Sequence, residues 1–143
     1  MELYTLVYSS KSTIPLHRYQ IHRLLAECKI NNAANNITGI LLSLDEHFIQ
    51  VLEGDKEIIL SLYDKIQKDP RHTNVRTVLQ KKIEKRAFPD WTMGYKNVSK
   101  EELKNIPGLS LFLEKGTAGS HTDIASDVYE LLIQFRENPE CFS

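Results

Sequence analysis

The chain has 143 residues, with 18 lysines and arginines against 19 aspartates and glutamates, so its net charge is −1. This length predicts one hydrophobic core, and the balanced charge gives no electrostatic reason to expect a nucleic acid or a membrane surface as partner. Two cysteines, Cys28 and Cys141, predict neither a disulfide framework nor a cysteine metal site, which favours a reducing, cytoplasmic location. The N-terminal residues lack a basic region and no long apolar span follows, so we expect neither a signal peptide nor a membrane helix.

Apolar periodicity predicts alternating strands and helices over the first two thirds of the chain. Both helices carry an apolar stripe at spacings of three and four residues, and turn-forming residues separate the elements. In chain order the predicted elements are a strand at 3–8, a helix from Pro15 to the asparagine-rich turn 31–36, strands at 37–44 and 48–53, a helix with Asp55 as N-cap that stops before Asp69-Pro70, and strands at 75–83 and 91–98.

The order βαββαββ predicts an α+β, ferredoxin-like sandwich with two helices on one face of a four- or five-stranded mixed sheet. Residues 100–113 and 123–137 predict two additional C-terminal helices, and residues 114–120 between them have the composition of a flexible linker. Residues 1–98 then form the domain proper. Residues 99–143 form a helical extension that we expect to pack on the open face of the sheet.

Catalytic and metal-binding signatures are absent from the sequence. It contains no glycine-rich phosphate loop, no nucleophile elbow and no histidine pair at ligand spacing, so we expect neither an enzyme nor a metal site. The basic residues Lys81, Lys82, Lys85 and Arg86 are typical of a charged edge strand that resists aggregation.

An amide stands in a segment that is otherwise built to be buried, residues 47–54. In a strand there, Phe48, Gln50 and Leu52 share one face while Ile49 and Val51 supply a second apolar face. An unpartnered buried amide costs about 1–3 kcal/mol, so we expect backbone, a tyrosine or the polar ring edge of a ligand to bond Gln50. Leu6 and Tyr8 share a face of the first strand in the same way and are expected to look into the same space.

Six short motifs follow one another between residues 2 and 97. They are Val7-Tyr8-Ser9-Ser10, Asn31-Asn32, Asn36-Ile37-Thr38-Gly39, Phe48-Ile49-Gln50-Val51-Leu52-Glu53-Gly54, Asp69-Pro70-Arg71-His72 and Phe88-Pro89-Asp90-Trp91-Thr92-Met93. In order and spacing they resemble the motifs of BLUF domains, which are blue-light sensors that use flavin. The resemblance implies a ferredoxin-like fold with the isoalloxazine ring of FAD between the two helices, although FMN and riboflavin stay open.

Carried over residue by residue, the resemblance implies roles around that ring. Gln50 would contact flavin N5 and the adjacent carbonyl while bonding the Tyr8 hydroxyl, and Asn31 and Asn32 would hold the opposite polar edge. Apolar ring walls and contacts to the polar side or ribityl chain are expected from Leu24, Leu25, Ile66, Asp69 and Arg71.

The implied mechanism is photochemical switching without turnover. Light drives electron and proton transfer from Tyr8, and the rearranged Gln50 amide changes the hydrogen bonds to the flavin. Trp91 and Met93, on one face of the last predicted strand, are both candidates to transmit the change to a downstream effector protein, and self-association into a homo-oligomer is expected.

Two other classes share the predicted fold. An acylphosphatase-like hydrolase needs an arginine in the loop after the first strand, and residues 9–13 contain none. A regulatory module that binds a colourless ligand is the second. An absorption spectrum separates both from a flavoprotein.

Overall fold

The computed structural model describes residues 2–13, 18–44 and 46–97. Its elements are β1 (Leu3–Ser12), α1 (Arg18–Ala34), β2 (Thr38–Leu44), β3 (His47–Asp55), α2 (Lys56–Gln67), β4 (His72–Lys82) and β5 (Gly94–Asn97). This order confirms the predicted βαββαββ arrangement and its α+β, ferredoxin-like class. The predicted helix start at Pro15, both C-terminal helices and the domain boundary after residue 98 lie outside the described residues.

The five strands form one mixed sheet in the order β4-β1-β3-β2-β5. β1 pairs antiparallel with both β3 and β4, β2 pairs antiparallel with β3, and β5 runs parallel to β2. The register sets Tyr8 directly opposite Gln50. Because residues opposite each other in a ladder project from the same face, their side chains meet, as the sequence predicts.

Both helices pack on the sheet face that carries Tyr8. Leu6 and Phe48 of this face join Leu25 of α1 and Ile59 of α2 in one buried cluster. The centre of the other face is buried as well, since five aliphatic residues there are at most 3% exposed; they are Val7, Ile40, Leu42, Ile49 and Val51. Leu79, opposite Val7 on the edge strand β4, is only partly buried. β1 and β3 are thus apolar on both faces because both faces of the sheet are buried where these two strands lie.

The last strand begins later than predicted. β5 starts at Gly94, so Trp91 and Met93 precede it, and the prediction that they share one face of a strand is wrong. A turn in which the Trp91 N–H donates to the Phe88 carbonyl, at 3.3 Å, holds this stretch out of the sheet. The Trp91 ring packs against Gly94, where an added Cβ would collide with it.

Two predictions about polar residues also need correction. Lys81 and Lys82 are exposed on β4, which is an edge strand as expected. Arg86, however, follows β4 and is partly buried, with its guanidinium bonded to three oxygens of the chain. Asp55 occupies the N-cap position of α2 but makes no side-chain capping bond.

Candidate ligand site between the two helices

A cavity of about 840 Å³ lies between α1, α2 and the sheet. This volume falls in the range of about 300–1,000 Å³ that small-molecule sites occupy. Of the residues expected to touch a flavin, all but one line the cavity, namely Tyr8, Leu24, Asn31, Asn32, Gln50, Ile66, Asp69 and Arg71. The exception is Leu25, which is 4% exposed and belongs to the apolar core instead.

Tyr8 and Gln50 form a buried hydrogen-bonded pair at this cavity. The Tyr8 hydroxyl donates to Gln50 Oε1. On its other side the Gln50 amide meets sulfur, because Nε2 lies 3.5 Å from Met93 Sδ and the side chain also bonds Cys28. Sulfur is a weak acceptor, so the two N–H donors of Gln50 are left with poor partners at a cavity wall.

The phenol of Tyr8 is enclosed by aromatic side chains. Its ring centroid lies 5.4 Å from that of Tyr63, and the His72 ring stands edge-on at 6.4 Å. Burial raises the pKa of Tyr8 far above its ordinary value, and the neighbouring Cys28 adds to the rise. Tyr8 therefore stays protonated and is held as a donor to Gln50.

His72 is locked in place beside Tyr8. Its Nε2 lies 2.6 Å from the carbonyl oxygen of Ile66 and its Nδ1 lies 3.1 Å from the Ser10 hydroxyl. A carbonyl can only accept, so Nε2 donates to Ile66, and a second hydrogen bond joins Nδ1 to the Ser10 hydroxyl. This ring forms a fixed wall of the cavity.

Two amides come from the C-terminal end of α1. Asn32 is 2% exposed, and its Nδ2 donates to the Thr92 carbonyl at 2.6 Å. Asn31 is exposed, and its Oδ1 accepts from the side chain of Asn35 at 3.2 Å. Both retain free donor or acceptor capacity toward the cavity they line, since an amide has two N–H groups and two lone pairs.

A charged cluster joins α1 to the turn that follows α2 at the rim of the cavity. Arg71 makes several hydrogen bonds to Asp69, and its Nη1 lies 3.2 Å from Glu27 Oε2 on α1. The bonds from Arg71 hold the pKa of Asp69 below its ordinary value. Burial raises the pKa of the Cys28 thiol nearby, while the positive charge of Arg71 opposes the rise.

Several lining residues were not anticipated from sequence, among them Arg23, Glu27, Cys28, Lys65 and His72. The signal for those on α1 lay in their spacing. Positions 20, 23, 24, 27, 28 and 31 recur at three and four residues and end at the Asn31 amide, so they form one face of the helix. The role of His72 depends on tertiary contacts, and sequence gives no comparable signal for it.

Trp91 and Met93 occupy different environments. Met93 is 1% exposed and touches Gln50, whereas the Trp91 ring packs on Phe88 with centroids 5.5 Å apart. The Trp91 carbonyl accepts from the Gly39 N–H at 2.9 Å. Met93 is therefore the residue in contact with the Tyr8–Gln50 pair.

Within the described parts of the chain, no group of three histidine, cysteine, aspartate or glutamate side chains is placed to hold a metal ion. None of the helices described is long and apolar enough to cross a membrane.

Comparison with known proteins points to one family. The model of the family "Sensors of blue-light using FAD", BLUF, matches residues 3–94. Photoactivated adenylate cyclase subunit beta of Euglena longa is 36% identical over 134 residues, which cover 93% of this chain and 15% of that protein. The chain thus spans only a small part of the length of the curated relatives it matches.

Solved structures agree with this assignment. The dark-state structure of BlrB, a BLUF protein, has a TM-score of 0.73 and 27% identity, with 93% of this chain and 96% of that chain covered. Klebsiella pneumoniae BlrP1 with FMN and cyclic diGMP has a TM-score of 0.61 and 30% identity, with 80% of this chain and 35% of that chain covered.

Proposed function

The chain belongs to the BLUF family of blue-light sensors, and we propose that it binds FAD between α1 and α2 and signals illumination through rearrangement of Gln50. BLUF domains bind flavin. The observation that carries the proposal is the Tyr8–Gln50 pair: a buried amide at the cavity wall whose Nε2, among the described residues, donates to the sulfur of Met93. A ring nitrogen and a ring carbonyl are the strong acceptors that such an amide lacks.

The remaining lining fits the isoalloxazine ring. Leu24 and Ile66 supply apolar surface from the two helices, on either side of the space. Asn31 and Asn32 supply donors and acceptors that match an imide edge, in which one N–H stands between two carbonyls. The site therefore combines apolar walls with a few placed polar groups, as ligand sites do.

We assign FAD as the flavin because the family is described by it. Arg23 and Lys65 line the cavity and supply positive charge for the phosphates of the side chain, whereas Arg71 is paired with carboxylates at the rim. One BLUF relative is described with FMN, so FMN is the competing occupant.

Tyr8 and Gln50 carry the mechanism we propose. A bound flavin supplies absorption of blue light and, when excited, a strong electron acceptor. With a flavin bound, Tyr8 would serve as the electron donor, and its hydroxyl proton would pass to Gln50 along the hydrogen bond that joins them. Once electron and proton had returned to Tyr8, the Gln50 amide would remain turned or tautomerised. The lit state is then a changed set of hydrogen bonds around Gln50, and no turnover takes place.

Met93 is the first outward contact of Gln50, and we propose that it transmits the change. A turned amide presents its oxygen instead of its N–H toward the sulfur, which loses the hydrogen bond at 3.5 Å. Trp91 lies two residues before Met93 in the same segment, and we expect it to move with Met93. The far face of the sheet is buried, and we propose that the extension, residues 99–143, covers it and receives the signal.

The output is a partner protein in this proposal. Relatives are photoactivated adenylate cyclases, in which the matched region is a small part of the chain. We propose that this sensor likewise acts on an effector, that it is not itself an enzyme, and that it self-associates. Net charge gives no support for nucleic acid as partner, and low cysteine content favours the cytoplasm.

The decisive test is the absorption spectrum of the purified protein in the dark and under blue light. We expect bound oxidised flavin, identified by chromatography after release, and a reversible red shift on illumination. An acylphosphatase-like hydrolase or a module for a colourless ligand would show neither. Failure to retain flavin after reconstitution with excess FAD, FMN and riboflavin in turn would overturn the proposal.

Output is tested by hydrogen exchange of the same sample in the dark and in the light. We expect protection to change in residues 86–97 and in the extension, because Met93 links them to Gln50. Identical exchange over these residues, together with an unchanged molecular mass in light, would exclude this route of signalling.

A further inference from the structure

Glu53 is a buried carboxylate with a role that the flavin site does not explain. It is 1% exposed, and by strand alternation it lies on the face of β3 opposite Gln50. Its Oε2 accepts from the Ala87 N–H at 2.7 Å, and its Oε1 accepts from the Phe88 N–H at 2.9 Å and the Thr38 hydroxyl at 3.1 Å. Two consecutive backbone donors outside the sheet are thereby fixed to β3.

Arg86 reinforces this attachment. Its guanidinium donates to the Thr38 hydroxyl at 2.8 Å, to the Glu53 backbone carbonyl at 2.9 Å and to the Asn36 carbonyl at 2.8 Å. A planar guanidinium with five N–H donors holds several acceptors in fixed directions, which an ammonium does not. Arg86 and Glu53 together fix the start of residues 86–93, which we call the connecting segment.

The end of the connecting segment is attached at the cavity. Gly39 donates to the Trp91 carbonyl at 2.9 Å, Asn32 donates to the Thr92 carbonyl at 2.6 Å, and Met93 contacts the Gln50 amide. The connecting segment therefore joins an anchor on one face of the sheet to the photoactive pair on the other.

We propose that Glu53 is a positioning residue for the photoresponse, because its carboxylate fixes the connecting segment so that Met93 rests against Gln50. The inference deepens the proposed function and rests on it. A carboxylate is acceptor-only and receives all three donors at once, whereas a glutamine in its place turns one acceptor into a donor facing an N–H. With the anchor lost, the connecting segment moves independently of Gln50. The barrier between the dark and lit arrangements of Met93 is then lower.

The sequence supplies a local probe, because Trp91 is the single tryptophan of the chain and lies in the connecting segment. The test compares the flavin-loaded protein with Glu53→Gln, and with Glu46→Gln as matched control. Glu46 makes an exposed ion pair with Lys11, with a side chain 68% exposed. Two readouts are taken: quenching of Trp91 fluorescence by acrylamide in the dark, and the rate of dark recovery after illumination.

For Glu53→Gln we expect flavin binding to persist, Trp91 quenching to increase, and dark recovery to accelerate about fivefold, the equivalent of about one net hydrogen bond. Glu46→Gln is expected to match the unsubstituted protein in both readouts. Thr38→Val removes the hydroxyl between Glu53 and Arg86 at similar volume, and we expect the same changes at smaller size; it decides the question if Glu53→Gln does not fold.

Three results would overturn the inference: unchanged quenching in Glu53→Gln, unchanged quenching in Thr38→Val where Glu53→Gln does not fold, or increased quenching with unchanged recovery, which would make Glu53 merely structural. An unsubstituted protein that retains no flavin or shows no red shift would instead contradict the proposed function. Quenching in the dark then still decides whether Glu53 anchors the segment.

Discussion

Gln50 and Glu53 are both buried polar residues of β3, yet their surroundings differ sharply. Glu53 accepts from two backbone N–H groups and a hydroxyl, so both carboxylate oxygens are bonded within the chain. Gln50 is bonded at its oxygen by Tyr8, but its amide nitrogen reaches the sulfur of Met93. The hydrogen bonds of Glu53 are thus satisfied within the protein, whereas Gln50 has N–H donors available for a ligand.

The difference shows how a buried polar group reveals its role. Burial raises the pKa of Glu53, while bonds from Ala87, Phe88 and Thr38 oppose the rise, so its neighbours offset part of the cost of a buried charge. Gln50 carries no charge, so weak hydrogen-bond partners at its amide nitrogen reduce stability less than they would at the carboxylate of Glu53. A neutral amide at a cavity wall can therefore keep weakly bonded N–H groups at a modest cost in stability. A buried carboxylate needs strong hydrogen-bond donors within the fold, because an unpartnered buried charge costs far more.

The largest expected effect comes from the photoactive pair. Gln50→Leu keeps similar volume and removes the amide, and Tyr8→Phe removes the donor, so we expect flavin to bind while the red-shifted state is lost completely. Absorption difference spectra check this. Tyr4→Phe is the matched control, since the Tyr4 hydroxyl on the same strand bonds Gln80 at 3.0 Å, away from the cavity. A normal red shift in either Gln50→Leu or Tyr8→Phe would contradict the relay.

Glu53→Ala should have the largest effect on stability. Two backbone N–H groups and a hydroxyl lose their acceptor, so we expect the free energy of unfolding to fall by about 3 kcal/mol, against about 1 kcal/mol for Gln50→Leu, where the Tyr8 hydroxyl alone is left unpaired. Urea unfolding of the two variants measures this. Equal losses would show that the two sites are not as different as their hydrogen bonds indicate.

Met93→Leu should have an intermediate effect on kinetics. The substitution keeps the side-chain volume and leaves the anchor at Glu53 intact, so, unlike in Glu53→Gln, the barrier between the dark and lit arrangements is kept. It removes only the sulfur that receives the Gln50 N–H, which makes the dark arrangement less favourable. We expect the red shift to persist and dark recovery to slow about threefold, the size of a weak hydrogen bond. Flash photolysis measures the rate. Faster recovery would show that Met93 stabilises the lit arrangement instead.

The smallest effect concerns the rim pair of Asp69 and Arg71. Arg71 lowers the pKa of Asp69 in the folded chain, so the pair stabilises the fold above the ordinary pKa of 3.8, and this contribution disappears as pH falls through the lowered value. Because Arg71 is half exposed, we expect less than about 1 kcal/mol.

The check is the difference in unfolding free energy between the unsubstituted protein and Arg71→Gln, measured at pH 7 and again at the lowest pH where both remain folded. Lys68→Gln, at the exposed pair with Asp64, is the control. If the difference in unfolding free energy between the unsubstituted protein and Arg71→Gln grew as pH fell, the Asp69–Arg71 pair would not stabilise the fold in the way we expect.

The sequence by itself determined the order of the elements and the burial of β3 on both faces. It also determined that Tyr8 and Phe48 lie on the same face of the sheet as Gln50. These features follow from periods of two and about 3.6 residues, which are local properties of strand and helix. The same periods placed the Asn31 and Asn32 amides at the end of α1, because the apolar stripe of that helix runs out there.

Only the tertiary structure decided how the connecting segment meets the cavity. Met93 rather than Trp91 contacts Gln50. The reason is that the connecting segment has no periodicity of its own. It is placed by bonds to residues far away in sequence, such as that between Asn32 and Thr92, which are 60 positions apart. Patterns within a short window carry no information about such pairs, and for that reason the anchor at Glu53 could be found only in the folded chain.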